Sequence, residues 1–246
     1  MKNIVCLKWG SLYGPEYVNN LYAMVKRNMS SSFRFVCFTD DPTGLHKEVE
    51  HMPIPEHLKG WWGKIYFFKA PLADLNGPTL AIDLDMVIIS SLEPYFAYKP
   101  GVLCMKHDYP KHAGMSSCIM RLEANTLGHV YANLDFSKMD YAQNNHVPGF
   151  KKHKYWGDQI WIADQMKGLP VGIWPKQWNA KFILDCHKDP NTNKLFSNGN
   201  AYYNCAAPVF DIPDEAKVLV FSGVKQRNEK EMDKIGKWWH SKDLIA

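Results

Sequence analysis

Apolar and polar positions fall along the first third of the chain in blocks that predict strand, helix, strand, helix, strand. Ile4-Val5-Cys6-Leu7 is a short apolar run that reads as a first strand, with residues 8–14 as the loop that leaves it. Pro15 suits a first helical turn, and Tyr17, Val18, Leu21, Tyr22, Met24 and Val25 then recur at helical spacing until Asn28 to Ser32. An amphipathic helix lying on a sheet is expected there. Residues 33–38 read as a second strand, which ends at the turn signal Thr39-Asp40-Asp41-Pro42. Residues 43–60 are polar and predict a loop with a short edge strand, residues 64–69 a short helix, and Asn76-Gly77-Pro78 a turn.

The stretch that follows organises the rest. In residues 79–89 two carboxylates interrupt an apolar, β-branched run that reads as one buried strand. Alternation puts Leu80, Ile82, Leu84, Met86 and Ile88 on one apolar face and brings Asp83 and Asp85 together on the other. Two like charges one pleat apart are costly unless compensated. A divalent ion with oxygen ligands would compensate them, and a second face open to water would serve equally well.

Beyond it, strands are expected around residues 102–105 and 116–121, a helix over 126–134, and polar loops over 106–112 and 143–154. A helix opens at residues 155–162, with Asp158 where a carboxylate favours the helix dipole. A long polar turn over 189–200 and a strand over 217–221 complete the pattern. The order is that of a doubly wound α/β sheet, Rossmann-like and flanked by helices, whose ligands bind outside the carboxyl ends of the strands. Lys8 to Tyr13, Asp40 and the Asp83/Asp85 pair all fall at such ends. No glycine-rich phosphate-binding motif of either common type occurs, so a bound diphosphate would need a metal, which the Asp pair would hold.

Composition narrows the class. The 246 residues are 46% apolar and 22% charged, which suits a folded domain with a real core, and no linker divides them. A net charge of +4 suits an anionic ligand and falls well short of a nucleic-acid-binding profile. The six cysteines show no zinc-site spacing and read as reduced, mostly buried thiols. No run is long enough to span a membrane and no signal-peptide pattern opens the chain, so a cytoplasmic protein is expected. The Lys237-Trp238-Trp239-His240 tail suits peripheral contact with a lipid headgroup or glycan as well as it suits an ordinary packed C-terminus.

Several motifs, in their order and spacing, resemble the GT-A-fold glycosyltransferases of the family 8 type and their bacterial and viral relatives. They are Lys8-Trp9-Gly10 with Tyr17-Val18-Asn19-Asn20-Leu21-Tyr22, residues 35–41, Trp62-Gly63-Lys64, Asp83-Leu84-Asp85, Ser116-Ser117-Cys118-Ile119-Met120 and Gly157-Asp158-Gln159. The resemblance covers most of the chain. It implies one GT-A domain over 1–246, with a nucleotide-sugar-binding half (1–110) and an acceptor-side half (111–246). The implied activity is transfer of a hexosyl group from a nucleotide sugar, UDP-linked in most such enzymes, to a glycan, lipid or other acceptor, with retention of configuration. The implied cofactor is Mn2+ or Mg2+ on Asp83 and Asp85, with Asp85 the main ligand.

By the same resemblance Lys8, Trp9, Gly10 and Tyr13 line the base pocket, and Asp40 sits near the nucleoside. Lys64 offers a cation to the diphosphate or sugar, and Trp62 and Ser117 join the donor-binding residues. Asp158 and Gln159 face the sugar near its anomeric carbon. Each has a plainer reading beside it: Asp40 and Asp41 as turn residues, Asp158 as a helix-start acid, Trp61 and Trp62 as divided between core and surface.

One departure stands out. Such enzymes carry a late His-Gly or His-x-Gly whose histidine is a third metal ligand, whereas here the segment is Val220-Phe221-Ser222-Gly223-Val224-Lys225. Ser222 as a weak oxygen ligand, an added water, or His240 or another histidine reaching in are the alternatives, and weak metal affinity is expected. Lys225 is a candidate diphosphate partner. The histidines at 107, 112, 146 and 153 have no ligand spacing. Two rival functions remain open: a non-catalytic nucleotide- or sugar-binding protein of the same fold, and a haloacid-dehalogenase-like phosphatase, whose motif belongs nearer the chain start. The sugar, the acceptor and the oligomeric state are not encoded in any pattern found.

Overall fold

The computed structural model describes residues 1–108, 114–135, 157–221, 230–231 and 235–239. The chain forms two compact units, each drawn from separate segments: 1–18, 32–84 and 95–173 in the first, and 19–31, 85–94 and 174–246 in the second.

The first unit is built on a seven-stranded mixed sheet. Its first strands in chain order are β1 (Lys2–Lys8), β2 (Phe33–Thr39), β3 (Glu50–Pro53) and β4 (Pro78–Ile82). β5 (Met86–Ile88) belongs to the second unit, and β6 (Leu103–His107), β7 (Met115–Glu123) and β8 (Val171–Ile173) complete the first. The spatial order is β3-β2-β1-β4-β7-β6-β8. The first four run parallel, β7 runs antiparallel to both β4 and β6, and β8 is parallel to β6. Ile4, Val5 and Cys6 of β1 and residues 35–38 of β2 are buried on both faces, which is why these strands read as continuous apolar runs rather than alternating ones.

The helix expected after the first loop forms as α1 (Pro15–Asn28), with Glu16 in its first turn and Lys26 and Arg27 in its last, complementing the dipole. The short helix expected at residue 64 is a 3-10 helix that begins earlier, Gly60–Phe68, and buries Trp62, Ile65, Phe67 and Phe68. Gly63 lets this helix approach β1, because a Cβ there would lie 2.7 Å from Leu7 Cδ2. Gly63→Ala is expected to cost about 1–3 kcal/mol by overpacking, read as a lower denaturation midpoint.

The run 79–89 departs from expectation. It is not one strand: β4 ends at Ile82, Leu84 and Asp85 form a turn, and β5 pairs antiparallel with a strand of the other unit's sheet. Asp83 and Asp85 therefore do not share the face of one strand. The alternation continues through the break because Leu84, Met86 and Ile88 are all buried, but in different surroundings.

The helix expected over 126–134 is reduced to one turn, α3 (His129–Ala132), after the five-residue α2 (Glu93–Ala97). Lys106 and His107, expected in a loop, extend β6. The helix at the Gly-Asp-Gln motif is α4 (Asp158–Gln165).

The second unit holds a three-stranded sheet of β5, β9 (Asn179–Lys181) and β12 (Val218–Val220), and a two-stranded one of β10 (His187–Lys188) and β11 (Val209–Phe210). Of these, β12 was expected as a strand of its own and β5 only as the end of the run 79–89, while β9, β10 and β11 were not expected. The polar turn after residue 189 gives way at Gly199 to α6 (Gly199–Tyr203), capped by Asn198, while α5 (Phe182–Asp185) precedes β10. His187 is buried among Phe182, Tyr202 and Phe210, with Nδ1 2.8 Å from the Phe182 carbonyl, a core histidine.

Candidate active site

Two groups of expected residues gather at the carboxyl ends of the parallel strands. At β1 and β2, Lys8 is almost wholly covered, and its Nζ donates to the Asp41 carbonyl at 3.0 Å. The Gly10 amide donates to the Asp40 carboxylate at 3.0 and 3.2 Å, with Gly10 at φ +62°. Asp41 turns back onto Thr39 Oγ1, so the Asp40-Asp41-Pro42 segment is a turn that also grips the β1 loop. Trp9 packs against the main core, and Tyr13 meets Tyr17 edge to face at 4.8 Å.

The second group lies one strand over. The Asp83 amide donates to the Cys118 carbonyl at 2.9 Å, so the end of β4 is zipped to the start of β7. Between β6 and β7 the pairing jumps from Met105 with Met120 to Lys106 with Ser116. Ser117, Cys118 and Ile119 thus lie on a bulge, a device that re-aims side chains at sites.

Lys64 reaches across from the 3-10 helix. Its Nζ lies 2.7 Å from Asp83 Oδ1 and 2.8 Å from Oδ2, 3.4 Å from Ser117 Oγ and 3.9 Å from Asp158 Oδ2. Ser117 Oγ donates to Asp158 Oδ2 at 2.5 Å. Asp158 opens α4, which is held by Trp161 Nε1 donating to the Val130 carbonyl and by Ile162 in the core.

These residues line a cleft of about 280 Å³, formed by Trp61, Lys64, Asp83, residues 116–118 and residues 157–159. Burial works against the Lys64 cation, but the Asp83 and Asp158 carboxylates outweigh it and hold its pKa well above the ordinary lysine value. Burial pushes the Cys118 thiol up to about 11, with Asp83 adding to it, so this cysteine is a protonated thiol rather than a nucleophile at neutral pH. The indole N–H of Trp61, a buried atom, has no acceptor among the described residues.

Of the adjacent tryptophans, Trp61 lines the cleft, whereas Trp62 is 2% exposed inside the core cluster and is not brought to it. Asp85 stands in a turn, at the start of the second segment of the second unit. Ser222, Lys225, His240, the histidines at 112, 146 and 153, and most of the two polar loops at 106–112 and 143–154 lie outside the described residues. Among the described residues no group of three or more His, Cys, Asp or Glu side chains is arranged to hold a metal. No helix among them is long and apolar enough to cross a membrane.

The pattern reading does not single out Arg121, which sits on β7 at 1% exposure. Its guanidinium donates to the carbonyls of Tyr95, Phe96, Tyr98, Lys99 and Val102 at 2.5–3.1 Å, gathering the orphan acceptors at the end of α2. Its signal was a lone arginine inside the apolar run Ile119-Met120-Arg121-Leu122.

No protein-family model matches the chain, and no curated protein matches it. Solved structures do. A galactosyltransferase, LgtC, solved with donor and acceptor sugar analogs, is 13% identical over 96% of both chains, with a TM-score of 0.52. The bifunctional glycosyltransferase WbbM is 11% identical, with a TM-score of 0.57, over 98% of this chain and 50% of its own. The glycosyltransferase GlyE of Streptococcus pneumoniae is 11% identical, with a TM-score of 0.52, over 74% of this chain and 48% of its own. At such identities the likeness speaks for architecture, and the mixed seven-stranded sheet with its flanking helices is the GT-A fold of these glycosyltransferases.

Proposed function

We propose that the chain is a glycosyltransferase that moves a sugar from a nucleotide-sugar donor, UDP-linked in the first instance, to a glycan or lipid-linked acceptor with retention of configuration. The observation that carries this reading is the Lys64 ammonium held between Asp83 and Asp158 in a cleft at the carboxyl end of β4. On this fold that edge is where ligands bind. The likeness in fold to LgtC, a galactosyltransferase solved with donor and acceptor sugar analogs, supports a transferase reading, and the role of Gln159 rests on the Gly157-Asp158-Gln159 resemblance.

The chemistry follows from the side chains. Cleaving the bond between sugar and diphosphate leaves negative charge on the departing group, and a fixed ammonium in a covered site stabilises charge as it develops. Lys64 is fixed, covered and permanently charged. Trp61 supplies an apolar wall for the carbon face of a sugar ring. Asp158 and Gln159 offer acceptors to its hydroxyls, and the Gln159 carbonyl is a poor nucleophile, which favours return of the acceptor on the same face over a lasting covalent intermediate. Lys8, Gly10 and Asp40 form the nucleoside end along the same sheet edge.

Asp83 and Asp85 each carry carboxylate oxygens, hard donors of the kind that Mn2+ or Mg2+ takes, so the chemistry of each residue suits such an ion. When bound, the ion supplies Lewis-acid neutralisation of the diphosphate. As the resemblance implies, Asp85 is taken as the main ligand.

The test is release of nucleoside diphosphate from a panel of UDP- and GDP-sugars, with and without manganese, by the wild type and by Asp85→Ala. One donor is expected to be consumed in a manganese-dependent way, with about a hundredfold loss in the variant. Binding without release from any donor would favour a non-catalytic sugar-nucleotide binder. Neither binding nor release would overturn the reading.

A further inference from the structure

We infer that Ser117 is a positioning residue for donor-sugar recognition, acting through Asp158 and Lys64 rather than by touching the donor. The inference rests on the glycosyltransferase reading above and deepens it.

A serine hydroxyl has one proton to give and two lone pairs to receive with. The Ser117 proton goes to Asp158 Oδ2 at 2.5 Å, and one lone pair faces Lys64 Nζ at 3.4 Å. The side chain is 3% exposed, so no donor is left for a sugar oxygen and almost no surface is left for one to reach. The hydroxyl is the middle link of a chain running Asp83, Lys64, Ser117, Asp158. Each link is on a different element: the end of β4, the 3-10 helix, the bulge of β7 and the first residue of α4.

The consequence concerns how the two carboxylates are presented. Asp158 has one oxygen engaged by Ser117, with Lys64 3.9 Å away, so the carboxylate is held at a fixed rotation and its other oxygen, which no described residue engages, is the one left to face a substrate hydroxyl. Bonds to an ionised carboxylate are among the stronger hydrogen bonds, so this hold is firm. The bulge explains why a residue of a paired strand is available for this: Ser117 sits where β7 has no partner residue on β6.

The experiment separates positioning from plain structure by comparing a nucleotide with its own sugar conjugate. Ser117→Ala and Ser117→Thr are prepared with the wild type, and the affinities for the free nucleoside diphosphate and for the nucleotide sugar, kcat, and the denaturation midpoint are measured. Ser117→Ala should bind the free nucleotide like the wild type, bind the sugar conjugate about tenfold or more weakly, and lose kcat by about 10- to 100-fold, the range for a hydrogen bond to a charged partner. Ser117→Thr, which keeps the hydroxyl, should restore most of both.

Unchanged sugar affinity and kcat in Ser117→Ala would overturn the assignment. So would equal losses toward nucleotide and conjugate that follow the midpoint, which mark a merely structural residue. A wild type that binds no nucleotide sugar at all would overturn the transferase reading itself, a result distinct from either.

Discussion

Lys64→Met is expected to lower turnover of the donor by about 10²- to 10³-fold, the scale for removing one preorganised charge from a site of developing negative charge. The side chain is 12% exposed, and its ammonium is the shared partner of Asp83 and Asp158. Its loss also leaves two largely covered carboxylates facing each other without that cation, so the variant should melt lower as well. Lys64→Arg separates the two effects. It keeps the charge and should melt close to the wild type, yet turn over poorly, because a planar fork of five donors does not reproduce a point ammonium.

The sign of the pH dependence follows from the raised pKa. The stabilising contribution of Lys64 is present in full below the ordinary lysine value and is lost only as pH rises through the higher folded value. Between about pH 6 and 9 neither stability nor turnover should show a limb from this residue. A wild-type rate in Lys64→Met would remove Lys64 from the chemistry.

The second large effect is on folding. Arg121→Met should destabilise the chain by about 2–4 kcal/mol, because five carbonyls, two of them buried and three partly so, lose their donor at once and each buried orphaned acceptor costs about 1–3 kcal/mol, with less than full additivity. Against typical domain stabilities this is a large share of what is present. Arg121→Lys should fall between, since one ammonium carries three donors and cannot span the same set. Denaturant unfolding followed by tryptophan fluorescence reads both, and a midpoint for Arg121→Met equal to wild type would show that the carbonyls find other partners.

Local pattern carried the early sheet well. Residues 4–7 and 33–38 are apolar runs closed by turn signals, and a helix with Pro15 in its first turn separates them, so each segment announces itself within a few residues. The break at Asp83 is illegible in the same way, because Leu84, Met86 and Ile88 continue the alternation. What ends β4 is the partner available to it: Cys118 takes the Asp83 amide, and β12 takes residues 86–88. Short elements of the second unit, such as β9 and β10, have two or three residues each and too little length for any period to register.

The candidate site divides likewise. Asp83, Lys64 and Asp158 belonged to motifs that stood out in the chain. That Ser117 links two of them is a contact across 41 residues, made from the bulge in β7. Trp62 joined the donor-binding set only through the resemblance; on this 3-10 helix it turns into the core and Trp61 lines the cleft, the division between core and surface that adjacent tryptophans suggest.

The measurement that bears most directly on the central claim is calorimetric titration of UDP, GDP and their common sugar conjugates, with and without manganese, into the wild type and Asp83→Asn. The account predicts that one sugar conjugate binds the wild type more tightly than its free nucleotide, with manganese strengthening the binding. It also predicts that Asp83→Asn, which weakens the hold on Lys64, removes most of the advantage the sugar confers. No nucleotide binding under any condition, or a sugar conjugate bound equally well by both proteins, would contradict it.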